Sequence, residues 1–230
     1  MKLSCIRGHY IWPAPLKSDS VVIDAGAHSG QFSAEIIQRF GCKCHLIEAN
    51  PILAAELSLP GAASVTHAAL SAQDGSAPLH LSDNPESSSL VSNVGSSPTG
   101  RTVDVETVSL GTLMTRLGIK RIDLLKLDIE GAEFGLIDAN SDDTLRQIDQ
   151  LTVEFHDFQP RFSGKQLFEQ ARARLEALGF ICVVMSFRTH GDVLFLNCAS
   201  LNIPEVSKLY LRSMARFVEK TKLRLGISGS

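Results

Sequence analysis

Val21-Val22-Ile23-Asp24-Ala25-Gly26-Ala27-His28-Ser29-Gly30 is the stretch that decides the fold. Val21, Val22 and Ile23 make a short, apolar, β-branched run, as a strand covered on both faces requires. Asp24 closes that run. Gly26 and Gly30 then bracket a turn whose backbone can approach a ligand with no Cβ in the way. Phe32, Ile36, Ile37 and Phe40 follow at helical spacing, so strand, glycine turn and helix succeed one another. In an open α/β sheet this succession builds a small-molecule crevice at the carboxyl end of the strand.

Reading outward, Gly41 ends the helix and residues 43–47 form a second strand that finishes at Glu48-Ala49-Asn50-Pro51. Pro51 suits the first turn of a new helix, and residues 63–67 read as a third strand. Tandem strand-helix units imply parallel pairing through right-handed crossovers. Residues 77–81 and 102–108 alternate like strands. Between them, residues 83–100 are rich in Ser, Asn, Pro and Gly, which suits a binding loop or lid. A helix is expected over 110–117, ended by Gly118. Buried strands follow at 122–129 and 151–155, then a helix over 165–178, and 180–185 with 193–197 close the chain as a hairpin. The expected fold is a Rossmann-like α/β domain. Its mostly parallel seven-stranded sheet carries an antiparallel C-terminal hairpin and helices on both faces, an arrangement like that of class I methyltransferases.

The chain has 230 residues, enough for one large domain, expected over 21–200. Residues 1–20 contain Trp12-Pro13-Ala14-Pro15 and read as an N-terminal arm without chemistry. Residues 201–230 read as a basic amphipathic helix, with Val206, Leu209, Tyr210, Met214, Phe217 and Val218 on one side. Packing of that stripe onto the domain is the expectation, with contact to an anionic membrane as the alternative. An apolar content of 44%, 20% charged residues and a net charge of −3 suit a soluble domain and disfavour nucleic acid. No apolar run approaches the ~20 residues of a membrane span, and the start of the chain lacks a signal peptide's apolar segment. A cytoplasmic location is therefore expected. Five cysteines, at 5, 42, 44, 182 and 198, form neither a disulfide framework nor a Cys-x-x-Cys pair. Oligomeric state has no signature here.

The chemistry concentrates at strand ends. Gly26 and Gly30 do not make the G-x-G-x-x-G that brings a dinucleotide pyrophosphate to a helix N-terminus, which disfavours a nicotinamide oxidoreductase. An acidic Asp24 before the turn sits badly with phosphate and well with a sulfonium or ammonium. Glu48, ending the next strand, can accept both hydroxyls of a ribose. Asn50 is a weaker candidate because it also suits a helix cap. Asp74 is a candidate for an adenine edge, with a turn as the more ordinary role. Lys126, Asp128, Glu130 and Glu133 gather at one strand end, and Glu154 and His156 at another.

These residues resemble the FkbM-type methyltransferases. The resemblance runs from about Val21 to His156. It rests on Asp24-Ala25-Gly26-Ala27-His28-Ser29-Gly30, on Glu48-Ala49-Asn50-Pro51, on Ser87-Ser88-Ser89-Leu90, and above all on Asp123-Leu124-Leu125-Lys126-Leu127-Asp128-Ile129-Glu130-Gly131-Ala132-Glu133. His28 stands where the family usually has Asn, and Ala49 where it usually has Pro. The resemblance implies S-adenosylmethionine as cofactor, and a hydroxyl on a small molecule, natural product or sugar as acceptor. The donor would be held by Asp24, Gly26, Ala27, His28, Gly30, Glu48, Ala49 and Asn50, with Asp74 and Asp128 beside it. Methyl transfer to an alcohol needs alignment and removal of a proton. Asp128 is the first choice of base and His156 the second, with Lys126 and Glu130 positioning Asp128 or the acceptor. Asp128, Glu130, Glu154 and His156 could ligate Mg²⁺, yet no metal is expected.

Overall fold

A computed structural model of the chain describes residues 1–82, 88–90, 98–156, 164–186 and 191–213. The described part begins with β1 (Ser4–Ile6), β2 (His9–Ile11), β3 (Val21–Ala25), α1 (Gln31–Phe40), β4 (Lys43–Glu48), α2 (Pro51–Glu56) and β5 (Ser64–His67). β6 (Ala69–Leu70), β7 (Gly75–Ser82), β8 (Pro98–Val108), α3 (Leu110–Leu117), β9 (Leu124–Leu127), α4 (Glu133–Ala139) and α5 (Asp142–Arg146) follow. β10 (Gln150–Val153), α6 (Gly164–Ala177), β11 (Phe180–Val184) and β12 (Val193–Asn197) complete the sheet, and residues 205–213 are helical.

Seven strands form the central sheet in the order β11-β12-β10-β9-β3-β4-β5. Pairing is parallel from β10 across to β5, while β12 runs antiparallel to both β10 and β11. This is the Rossmann-like class I methyltransferase arrangement expected from the strand-helix alternation. Because side chains alternate across a strand, Ile23 and Leu125 enter one core with Phe134, Phe155, Phe168 and Phe195. Val22 and Leu124 enter the opposite core with Phe32, Ile36 and Leu46. Every residue of β9, β10, β11 and β12 is buried, which explains their largely apolar sequences.

Helix ends follow their local chemistry. Gly41 is left-handed at φ 71° and donates its N–H to Ile37 O, closing α1. Asn50 accepts from Ile52 N and Pro51 takes the first turn of α2. Gly118, at φ 67°, ends α3.

Three features differ from the sequence expectation. Residues 1–20 are part of the fold: β1 and β2 form a hairpin around Arg7 and Gly8, both at positive φ as a tight two-residue turn needs. Ile6 and Ile11 are fully buried with α1, and Trp12 N donates to Gln150 Oε1 at 2.8 Å. Strands of three residues are too short for periodicity to reveal. Secondly, β7 and β8 pair with β6 in a separate three-stranded sheet, order β6-β8-β7. Thirdly, the helix at 205–213 docks through fully buried Leu211, whereas Val206, Leu209 and Tyr210 are 81%, 66% and 52% exposed. The stripe expected to pack thus faces outward in its described part, because Leu211, beside Ile181 and Val183, takes the inward position. Met214, Phe217 and Val218, like Ser87 of the resemblance, lie outside the described residues. Among the described residues, no helix is long and apolar enough to cross a membrane.

Candidate active site

The carboxyl ends of β3, β4 and β9 are laced together by backbone groups. Gly26 N and Ala27 N both donate to Ile47 O, and Asp128 N donates to Ala25 O at 3.2 Å. Gly26 has φ 76°, and a Cβ built on it would lie 1.8 Å from Asp128 O. Only a glycine lets the two strand ends meet this closely. Above them opens a cavity of about 410 Å³, lined by Gly26, Ala27, His28, Glu48, Ala49 and Asp128 among others. That volume falls within the ~300–1,000 Å³ usual for small-molecule sites.

Glu48 faces this cavity, only 7% exposed. Its Oε2 accepts from His28 N and its Oε1 from Asn50 N, each at 2.8 Å. A carboxylate has about four lone-pair sites, so the backbone fixes Glu48 while leaving acceptors for two further donors. His28 adopts φ 50°, a left-handed conformation that Asn takes more readily than most residues.

One wall is apolar, built from Ala49, Ala69, Leu79 and Leu90, three of which come from segments beyond β5. The floor is polar. Asp128, Glu130, Glu154 and His156 all line it, joined by His9 from the N-terminal hairpin. Ser89 Oγ donates to Glu130 O, tying the 88–90 segment to this floor.

Asp24 does not line the cavity. It is fully buried beneath it, accepting from Ser33 Oγ at 2.7 Å and pairing with Lys126 Nζ at 3.2 Å. Register places Asp24 opposite Lys126 on β9, so the carboxylate placed by sequence beside a sulfonium is turned instead to an internal ammonium. Lys126 also donates to Gly26 O at 2.8 Å and lies 3.5 Å from Asp128 Oδ2. Burial opposes its charge, but Asp24 and Asp128 outweigh burial and raise its pKa. Asp74 is likewise outside the cavity: it is exposed and accepts from Ser109 N and Thr112 Oγ1 at the start of α3. Gly30 precedes α1, and Asn50 caps α2 behind Glu48.

The floor groups perturb one another strongly. Burial would raise the Asp128 carboxyl, but contact with His9 and the charges of Lys126 and His156 prevail and hold it well below the usual carboxylate range. Burial pushes Glu130 up to about 7, with Asp128, Glu133 and Glu154 adding to it and His156 opposing. Glu154 is raised by burial and by Asp128. Burial would lower His156, yet its contact with Glu133 and the charges of Glu130 and Asp128 raise it to about 9. His9, 3% exposed, brings Nε2 to 3.7 Å from Asp128 Oδ2. Of the wall and His9, Ala49 was assigned to the site from sequence, whereas His9, Ala69, Leu79 and Leu90 were not. An isolated histidine in a short hairpin gives no spacing signal, and apolar wall residues look like any core.

The profile of the FkbM methyltransferase domain matches residues 24–182. The chain belongs to the FkbM methyltransferase family. It is an S-adenosylmethionine-dependent methyltransferase, and in this family member the glycine turn, the cavity above it and the fixed Glu48 carboxylate fit a nucleoside-bearing donor. Among solved structures it is similar to the fibrillarin pre-rRNA processing protein of Methanococcus jannaschii, with 14% identity, 84% of this chain and 69% of that chain covered and a TM-score of 0.45. It is also similar to a precorrin-6y C5,15-methyltransferase from Geobacter metallireducens, with 14% identity, coverages of 79% and 80% and a TM-score of 0.39. A third likeness is to the N-terminal domain of EvdMO1 with S-adenosylhomocysteine bound, with 12% identity, coverages of 77% and 72% and a TM-score of 0.36. No curated protein sequence matches the chain.

Proposed function

We propose that this methyltransferase acts on a hydroxyl of a small molecule, with Glu48 holding the donor's ribose and Asp128 holding the acceptor. Bound S-adenosylmethionine supplies an electrophilic methyl group on a positively charged sulfur. Glu48 has acceptor capacity left for the two ribose hydroxyls, and the wall of Ala49, Ala69, Leu79 and Leu90 offers an apolar surface for adenine. Ala27, His28 and the turn around them flank the remaining polar portion of the donor.

The observation that carries the acceptor assignment is Asp128. It ends the strand beside Gly26 and shares the cavity floor with His156 and Glu130. A charged carboxylate there accepts a hydrogen bond from an alcohol and orients its oxygen for in-line attack. As the carbon–oxygen bond forms and the donor's carbon–sulfur bond breaks, the hydroxyl proton would pass to Glu130, whose carboxyl burial pushes up to about 7 and whose Oε2 lies 3.3 Å from His156 Nε2. Lys126 keeps Asp128 and the glycine turn in register through its contacts to both.

Isotope-labelled S-adenosylmethionine offered with a panel of sugars, phenols and amines tests the reading. Label is expected in methyl ethers; label confined to nitrogen or carbon would overturn it. Asp128→Asn should lose turnover while S-adenosylhomocysteine affinity stays within about threefold. Equal loss of both would move Asp128 into donor binding.

A further inference from the structure

We propose that Asp128, Glu130 and His156 form a site for one divalent cation, of the Mn²⁺ or Mg²⁺ class, on the cavity floor. The first argument is spacing. His156 Nε2 stands 3.9 Å from Asp128 Oδ1 and 3.3 Å from Glu130 Oε2, and ligand atoms of all three groups lie within 4.8 Å of one another. An octahedral ion with bonds of roughly 2.1 Å separates adjacent ligand atoms by roughly 3 Å and opposite ones by roughly 4.2 Å. The two separations from His156 Nε2 fall between these values.

The second argument is what stands behind His156. Its Nδ1 is 3.0 Å from Glu133 Oε1, and Glu133 is fully buried. Glu133 also accepts from Ile129 N and Gly131 N, at 3.0 and 3.1 Å, so its carboxylate is clamped by the turn that carries Glu130. A carboxylate on Nδ1 fixes the ring and leaves Nε2 facing the other two ligands, which is the outer-shell arrangement of metal-bound histidines. Glu133 is on this reading a positioning residue.

The third argument comes from the other side of Asp128. His9 is 3% exposed, turns Nε2 toward Asp128 Oδ2 at 3.7 Å, and has no hydrogen-bond partner for Nδ1 among the described residues. With Asp128 and Glu154 it forms a second group whose ligand atoms lie within 4.8 Å of one another. Asp128 is therefore flanked on each side by a histidine and a glutamate. Lys126 Nζ, 3.5 Å from Asp128 Oδ2, is shared with Asp24 and Gly26 O. A mixed imidazole and carboxylate set favours a first-row ion such as Mn²⁺ over Mg²⁺, which prefers oxygen alone.

This assignment reverses the expectation of no metal drawn from sequence. Its chemical use rests on the hydroxyl-methylation reading: an acceptor oxygen replacing a water on the cation would lose its proton more easily, and Glu154, outside the ligand set, is placed to receive it. Binding of the ion does not depend on that reading.

The test is titration of the chelator-stripped full chain with Mn²⁺ alone, followed by electron paramagnetic resonance, with S-adenosylhomocysteine affinity measured on the same samples. One Mn²⁺ per chain is expected, weakened at least about tenfold by Glu130→Gln and about 10–100-fold by Glu133→Gln, with product affinity retained as evidence of folding. Glu130 is the most exposed of these ligands after Asp128, so Glu130→Gln remains informative if His156→Gln fails to fold. Absence of stoichiometric binding at millimolar Mn²⁺, or binding unchanged by Glu130→Gln, overturns the proposal. Bound Mn²⁺ in a chain that methylates only nitrogen would instead leave the site standing and remove the hydroxyl reading.

Discussion

Replacing Gly26 by alanine puts one methyl group where β3 and β9 touch. The new Cβ would lie 1.8 Å from the backbone oxygen of Asp128, whereas real contacts stay above 3.0 Å, so the strand ends must part by roughly 1 Å. Separation strains the bonds from Gly26 N and Ala27 N to Ile47 O and the bond from Lys126 Nζ to Gly26 O. The positive φ adds about 1–2 kcal/mol for any residue with a Cβ. Overpacking against rigid backbone contributes about 1–3 kcal/mol and one weakened hydrogen bond about 1 kcal/mol. Together the expected loss is about 3–6 kcal/mol, a large part of a typical domain's ~5–15 kcal/mol. Urea unfolding reads this directly. Gly30→Ala is the matched control: its φ is 73°, but the neighbours, Leu57 Cδ1 at 3.1 Å and Leu46 Cδ2 at 3.3 Å, are flexible side-chain ends. It should cost about 1–2 kcal/mol. Equal losses for the two variants, or a Gly26→Ala loss below about 1 kcal/mol, would refute the argument that backbone contact with Asp128 makes position 26 a glycine.

Other outcomes follow from buried charge. Lys126→Met leaves the fully buried Asp24 without its cation and should destabilise the chain by about 3–5 kcal/mol in urea unfolding, with Asp24→Asn in the same chain restoring part of that loss. Thiol reactivity is the simplest check on burial: Cys42 is pushed up to about 11 and Cys44 to about 12, chiefly by burial, so at pH 8 both remain protonated and unreactive. Mass spectrometry after alkylation should find exposed Cys5 modified in the native chain and Cys42 and Cys44 modified only after unfolding.

How far the sequence reveals this site depends on how local each signal is. The central strands, their parallel pairing and the closing hairpin were legible because short apolar runs alternate with helical segments and end at glycine or acidic residues. Glu48 was legible for the same reason: it ends a strand next to the glycine turn, and the structure turns it into the cavity. Asp24 was misread, because sequence places it at the strand end but cannot show that Lys126 of β9 stands opposite and draws it inward. Asp74 reads as a loop carboxylate in either role; only the fold shows it bound to Ser109 N and Thr112 Oγ1 beside the start of α3. His9, Ala69 and Leu79 reach the cavity through long-range packing of β2, β6 and β7, which no short-range pattern encodes.

Calorimetry with S-adenosylhomocysteine, set beside NADH and repeated on Glu48→Gln, tests the central claim most directly. The account predicts one S-adenosylhomocysteine bound per chain, no NADH binding, and affinity weakened at least about tenfold when Glu48 loses its charge. Binding of NADH in place of the homocysteine product, or product affinity indifferent to Glu48→Gln in a folded chain, would contradict it.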